Sequence, residues 1–252
     1  MRKTFALTAL AVAACGQAAL LYDNGPWVTG TGNGFGGANT SAIEAGSNSF
    51  GFNIDTGAPF YVADDFTVGA QAWNLSSLSF YTYQTAATDG VPNSTSTLTS
   101  GRVAIFTSAP TDLTSNVAGG TLGSDGTLVG NVFTGVYRVS TALTNSQRAI
   151  MRVSVDLTGV TLNANTTYWA AWSADGSSTS GPWGVPVVPS LGTGNALQYS
   201  GGVWAALDGN STTAGVQSMG MAFQIEGEPV PEPATMLALG GALAAFARRR
   251  RK

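Results

Sequence analysis

The side chains able to do chemistry in this chain are few, and nearly all are carboxylates or aromatic rings. There is no histidine and a single cysteine, Cys15. That removes a Ser-His-Asp triad, a Cys-His pair and any histidine-ligated zinc or iron site. Glycoside hydrolysis needs only two carboxylates flanking a cleft, for which Glu44, Asp64, Asp65 and Asp156 are the candidates. Each is equally well explained as a solvated turn or strand-edge residue, so the expectation is a protein that is not an enzyme. Asp64 and Asp65 lie side by side in the apolar run YVADDFTV. Alternate strand residues face opposite ways, so one of the two must point inward if the strand is regular. It is then a structural calcium ligand, which needs about six to eight oxygens, or the acceptor of a backbone hydrogen bond. An edge strand or bulge that keeps both acids wet is the third reading. Without an Asp-x-Asp-x-Asp-Gly loop the last two are preferred, and no cofactor is expected beyond that structural calcium.

The aromatics suggest a different chemistry. Tyr168 and Trp172 share one strand face, with Trp169 on the other, and Ser180-Gly181-Pro182-Trp183-Gly184 reads as an exposed loop. Trp172 and Trp183 are therefore the candidate glycan contacts, with core packing or loop anchoring as the alternative. The glycines from Gly30 to Gly37 do not follow a strand and open a helix, so they form no phosphate cradle. Thr95 to Thr97 does not continue into the flat, regular threonine array that ice binding would need.

These residues must be positioned by short strands. Alternation is clearest at Ala149 to Leu157, where Met151, Val153, Val155 and Leu157 share one face. Met219, Met221, Phe223 and Ile225 repeat the pattern in the last strand. Tyr61–Val68, Leu75–Tyr83, Arg102–Thr107, Val129–Ser140, Thr167–Ser173 and Ala196–Tyr199 are further strands, punctuated by Asp89-Gly90, Asp125-Gly126, Asp175-Gly176 and Asp208-Gly209 as turns. Tyr22 to Pro26 reads as a turn, and Thr29 to Asn39 as loop. No long helical period and no constant repeat occurs in the body. The expected fold is all-β, an antiparallel, jelly-roll-like two-sheet sandwich of about eight to ten strands.

Charge divides the chain into body and ends. Between Ala19 and Val230 the cations are Arg102, Arg138, Arg148 and Arg152, while every acid except Glu232 lies there. The body is thus far more acidic than the whole-chain net charge of −3 implies, and such a surface repels nucleic acid and anionic lipid. The remaining cations sit at the two ends. Arg2 and Lys3 precede an apolar run and then small residues, the layout of a secretory signal. This implies the Sec translocon and signal peptidase as partners, with cleavage after Ala18 preferred over Ala19. Val12-Ala13-Ala14-Cys15 also fits a lipoprotein box, which would lipidate Cys15.

At the other end Pro231-Glu232-Pro233 precedes the apolar run 234–247 and then Arg248, Arg249, Arg250, Arg251 and Lys252. As a short transmembrane helix that run would rise about 21 Å against a hydrocarbon core of about 30 Å, which suits a transient anchor better than a permanent one. Pro229, Pro231 and Pro233 disfavour helix and keep the segment ahead of it extended. Proline motif, apolar run and arginine cluster together resemble the PEP-CTERM sorting signal of Gram-negative bacteria. The resemblance implies recognition and cutting by an exosortase-type enzyme, for which Pro231, Glu232, Pro233 and Arg248 to Arg251 are the recognition residues. It implies transient inner-membrane anchoring, then a cell-envelope or extracellular location, often beside exopolysaccharide and biofilm. The same tail occurs on some ice-binding proteins. Within the body, Tyr22–Pro26, Ala63–Phe66, Ser180–Trp183 and Gly194–Tyr199 resemble stretches of other proteins that carry it. The expected division is a signal peptide at 1–18, a sandwich at 19–228 and a sorting signal at 229–252.

Overall fold

The computed structural model describes residues 18–43, 49–85, 96–187, 194–207 and 219–231. Its strands in chain order are β1 (Ala19–Asp23), β2 (Asn39–Ala42), β3 (Phe52–Asn53), β4 (Tyr61–Thr67), β5 (Trp73–Tyr83), β6 (Leu98–Phe106), β7 (Val117–Thr121), β8 (Leu128–Val139), β9 (Ala149–Asp156), β10 (Thr161–Leu162), β11 (Thr167–Gly176), β12 (Trp183–Gly184), β13 (Leu197–Ser200), β14 (Val203–Ala206) and β15 (Phe223–Pro229). They form two sheets. The larger runs β1-β15-β5-β9-β8-β2, with β10, β12 and β3 attached along its side. The smaller runs β14-β13-β4-β11-β6-β7. The fold is all-β and a sandwich, as expected.

Alternation explains how the sheets close on each other. Met151, Val153, Val155 and Leu157 enter the main core, while Ile150 turns to a separate cluster behind the larger sheet. From β11, Tyr168, Ala170, Trp172 and Ala174 face the larger sheet. Ala171 and Trp169 face the other way, into an outer cluster with Tyr61, Ala63, Ala104, Phe106 and Trp204. The smaller sheet is therefore apolar on both faces, and Trp204 is held over it by donating from Nε1 to the Asp112 carbonyl at 3.2 Å.

Several expectations need correcting. Strands are more numerous than expected, because segments as short as β2, β3, β10 and β12 pair through their backbones and are too short for apolar alternation to announce them. One pair, β2 with β8, is parallel. Residues Ala19 to Asp23 form a strand, so the turn begins only after Asp23. Asp175 and Gly176 end β11 at a register shift instead of forming a turn, with Asp175 accepting from Ser100 Oγ. The last strand starts at Phe223 rather than Met219, because the Met221 amide is donated to a side chain, Asp64 Oδ2, at 2.7 Å. Bulging of β8 between Phe133 and Tyr137 is served by Gly135 at φ 77°, a left-handed conformation that suits glycine. Among the described residues no helix is long and apolar enough to cross a membrane. The apolar run 234–247, Cys15, Glu44, Thr95, Asp89-Gly90 and Asp208-Gly209 lie outside those residues.

Candidate functional site

Trp172 is not a glycan contact. Strand alternation turns it inward, where it is 0% exposed, 6.1 Å from the Phe80 ring and 5.3 Å from that of Phe223. Trp183 is placed differently from the expected exposed loop. It begins β12, a two-residue strand pairing with β3 through Asn53 and with β5 through Tyr83. Its carbonyl accepts from Thr82 Oγ1 at 3.0 Å, and its indole N–H points to Ser180 Oγ at 3.4 Å. The ring is half-buried and lines a hollow of 290 Å³ together with Phe50, Gly51, Tyr83 and Arg148. Gly51 lets its segment pass close to β12, since a Cβ there would meet the Gly184 carbonyl at 2.7 Å and the Trp183 Cβ at 3.2 Å.

The sequence does not announce Phe50 and Arg148 as partners, yet the guanidinium carbon of Arg148 stands 4.0 Å from the Phe50 ring centre. Stacking of this kind fixes a guanidinium while leaving its in-plane donors available. The other body arginines are occupied. Arg102 bonds Asp125 at 2.8 Å, and Arg152 lies 3.8 Å from Glu226. Arg138 is buried and donates to Ser41 Oγ and to the Phe50 carbonyl. Arg148 has no hydrogen bond or ion pair from its guanidinium among the described residues. Both Arg138 and Arg148 act on the buried Tyr83 phenol, lowering a pKa that burial raises well above the ordinary tyrosine value. Two larger hollows, of 520 and 570 Å³, are lined by Phe35, Phe133 and Tyr137 and by Trp27, Tyr81 and Asp23, and neither contains a cation. None of the three is lined by two carboxylates.

The acidic pair separates as alternation requires. Asp65 is half-exposed, whereas Asp64 points inward and is 2% exposed. Asp64 Oδ2 accepts from Asn24 Nδ2 and from the Met221 amide, each at 2.7 Å, and Oδ1 accepts from the Asp65 amide at 2.9 Å. Asn24 also donates to the Met221 carbonyl at 2.8 Å and accepts from the Tyr22 hydroxyl at 3.0 Å. The carboxylate thus ties β4 of one sheet to the segments after β1 and before β15 of the other. N–H donors surround it where a calcium ion would need oxygens, and no group of three acidic or sulfur ligands exists among the described residues. Burial pushes the Asp64 carboxyl up to about 7, outweighing the hydrogen bonds that favour its charged form. Asp156 is exposed and caps its own turn, accepting from the Thr158 amide and hydroxyl, which lowers its pKa.

The two ends of the body meet. β1 and β15 are antiparallel neighbours, with Ala19 opposite Gly227. Ala18 is exposed and precedes the first ladder residue, so cleavage after Ala18 would leave β1 whole, and cleavage after Ala19 would strip Gly227 of its partner. At the other end Pro229 lies opposite Trp73, and the Val230 amide donates to the Ala72 carbonyl at 2.7 Å. The next residue, Pro231, is exposed. Residues 229–252 match the PEP-CTERM protein-sorting motif.

The chain carries a PEP-CTERM sorting signal. A comparison with curated proteins finds no match. The PEP-CTERM signal supports an exported protein handled by exosortase-type sorting and held transiently at the membrane. It begins while the chain is still in the sheet, so the ladder runs just past the expected boundary at residue 228. Glu232, Pro233 and Arg248 to Arg251 lie outside the described residues.

Proposed function

We propose that this chain is exported cargo whose two ends are removable addresses. The signal peptide at 1–18 directs it through the Sec translocon and is removed by signal peptidase. The apolar run 234–247 then holds it in the inner membrane as a short transmembrane helix, until an exosortase-type enzyme cuts near Pro231, Glu232 and Pro233. The sandwich that remains is a non-catalytic component of the cell envelope or of an extracellular polysaccharide matrix, the biofilm setting that similar tails suggest.

One observation carries this reading. The sorting motif starts where β15 leaves the sheet, beside the strand that opens the body at Ala19. Both addresses can therefore be removed without taking a core residue. The body's acidity and its lack of histidine favour passive cargo over catalysis. The test is intact-mass spectrometry of the protein recovered from cells and from the medium. The expected mature species begins at Ala19 and lacks Arg248 to Lys252. Recovery of the uncut chain from the cytosol as its main form overturns the proposal.

A further inference from the structure

The hollow beside Trp183 differs from the other two in one respect that has a chemical consequence. It brings together an aromatic face and a guanidinium that no described carboxylate neutralises. In a body this acidic, a guanidinium that meets an aromatic ring but no carboxylate among the described residues, beside an open cavity, is suited to a negative charge. An inorganic anion would have no use for Trp183, Phe50 and Tyr83. A neutral sugar would take single hydrogen bonds from Arg148, whereas a carboxylate takes two parallel, charge-assisted ones.

We propose that the hollow between Phe50, Arg148 and Trp183 binds a uronate, a sugar residue bearing a carboxylate. The carboxylate takes the in-plane N–H groups of Arg148, whose opposite face is set by the Phe50 ring. The apolar C–H face of the sugar lies against Trp183. Thr85 and Ser180 also line the hollow and bring hydroxyl oxygens to those of the sugar. Its 290 Å³ lies at the lower end of the range for small-molecule sites, about 300 Å³ upward, which suits one or two residues and not a long stretch of chain. Repulsion between the acidic body and the rest of a polyanion confines recognition to this point. The proposal deepens the matrix reading and relies on it for the source of the sugar, a polymer outside the cell.

The experiment is calorimetric titration of the protein as recovered from cells with trigalacturonate, maltotriose, free galacturonate and inorganic phosphate. Trigalacturonate is expected to bind at least about tenfold more tightly than maltotriose, with the margin shrinking as salt is raised. Arg148→Gln should remove that margin, Arg148→Lys should restore part of it, and Trp183→Ala should weaken both sugars. Unchanged melting temperatures in Arg148→Gln and Arg148→Lys establish that the fold is intact. Free galacturonate binding as well as the trimer keeps the site and assigns it to a soluble sugar acid. Equal binding of the two trimers, no binding of either, or displacement of trigalacturonate by equimolar phosphate overturns the proposal. None of these outcomes bears on the matrix reading, which is tested by the mass and location of the recovered protein.

Discussion

Trp172 and Trp183 both look like glycan contacts in the sequence, and the fold sends them to opposite fates. Trp172 is sealed between the sheets against Phe80 and Phe223. Trp183 stands half-buried on a two-residue strand beside an open hollow that also holds Arg148. The difference teaches that a tryptophan is available for binding when its strand is too short to bury both of its faces. A long strand in the middle of a sandwich has no such freedom.

The largest expected effect tests that contrast directly. Trp172→Ala should cost about 3–5 kcal/mol of stability, the usual range for removing a large aromatic from a core. Trp183→Ala should cost about 1 kcal/mol, as for typical partly exposed sites. Denaturant unfolding of both variants measures this, and equal costs would break the comparison. A smaller effect separates the neighbouring acids in the same way. Asp64→Ala leaves the buried Met221 N–H without its acceptor and takes one of the two acceptors of the Asn24 amide, at a cost of about 1–3 kcal/mol for the buried donor. Asp65→Ala should stay within about 0.5 kcal/mol, as read from the shift of the denaturation midpoint.

Asp64 also has an effect in pH. Folded Asp64 titrates near 7, and an unfolded aspartate near 3.9. Between those values the folded chain binds more protons, so the contribution from Asp64 is fully present below about pH 4 and is lost as pH rises through about 7. Stability should therefore rise on mild acidification from neutral pH, by at most about 1.4 kcal/mol per pH unit from this one group. Midpoints measured between pH 4 and 8 should lose that slope in Asp64→Asn. A native slope that survives the substitution would assign it to another group.

Much of the fold was legible because long strands with one polar face betray themselves. β9 is of this kind, and on β4 Asp64 facing inward follows from simple alternation. β11 is harder, since the smaller sheet buries apolar groups on both faces and its sequence does not say which side is the inter-sheet core. β2, β7 and β14 are short, β2 pairing with the distant β8 and the other two with their chain neighbours β6 and β13, and none is long enough for a local period to mark it. The sorting signal was fully legible, being a linear code of proline, apolar run and arginine. The hollow was legible only at Trp183. Phe50 and Arg148 come from separate parts of the chain and meet only through the packing of the larger sheet, and neither belongs to a motif that predicts the other.

The pairing of Ala19 with Gly227 also bears on engineering. Adjacent strands lie about 5 Å apart, so a short linker can bridge the natural ends of the body. The sandwich is therefore suited to circular permutation, and to insertion as a module into a surface loop of an unrelated host.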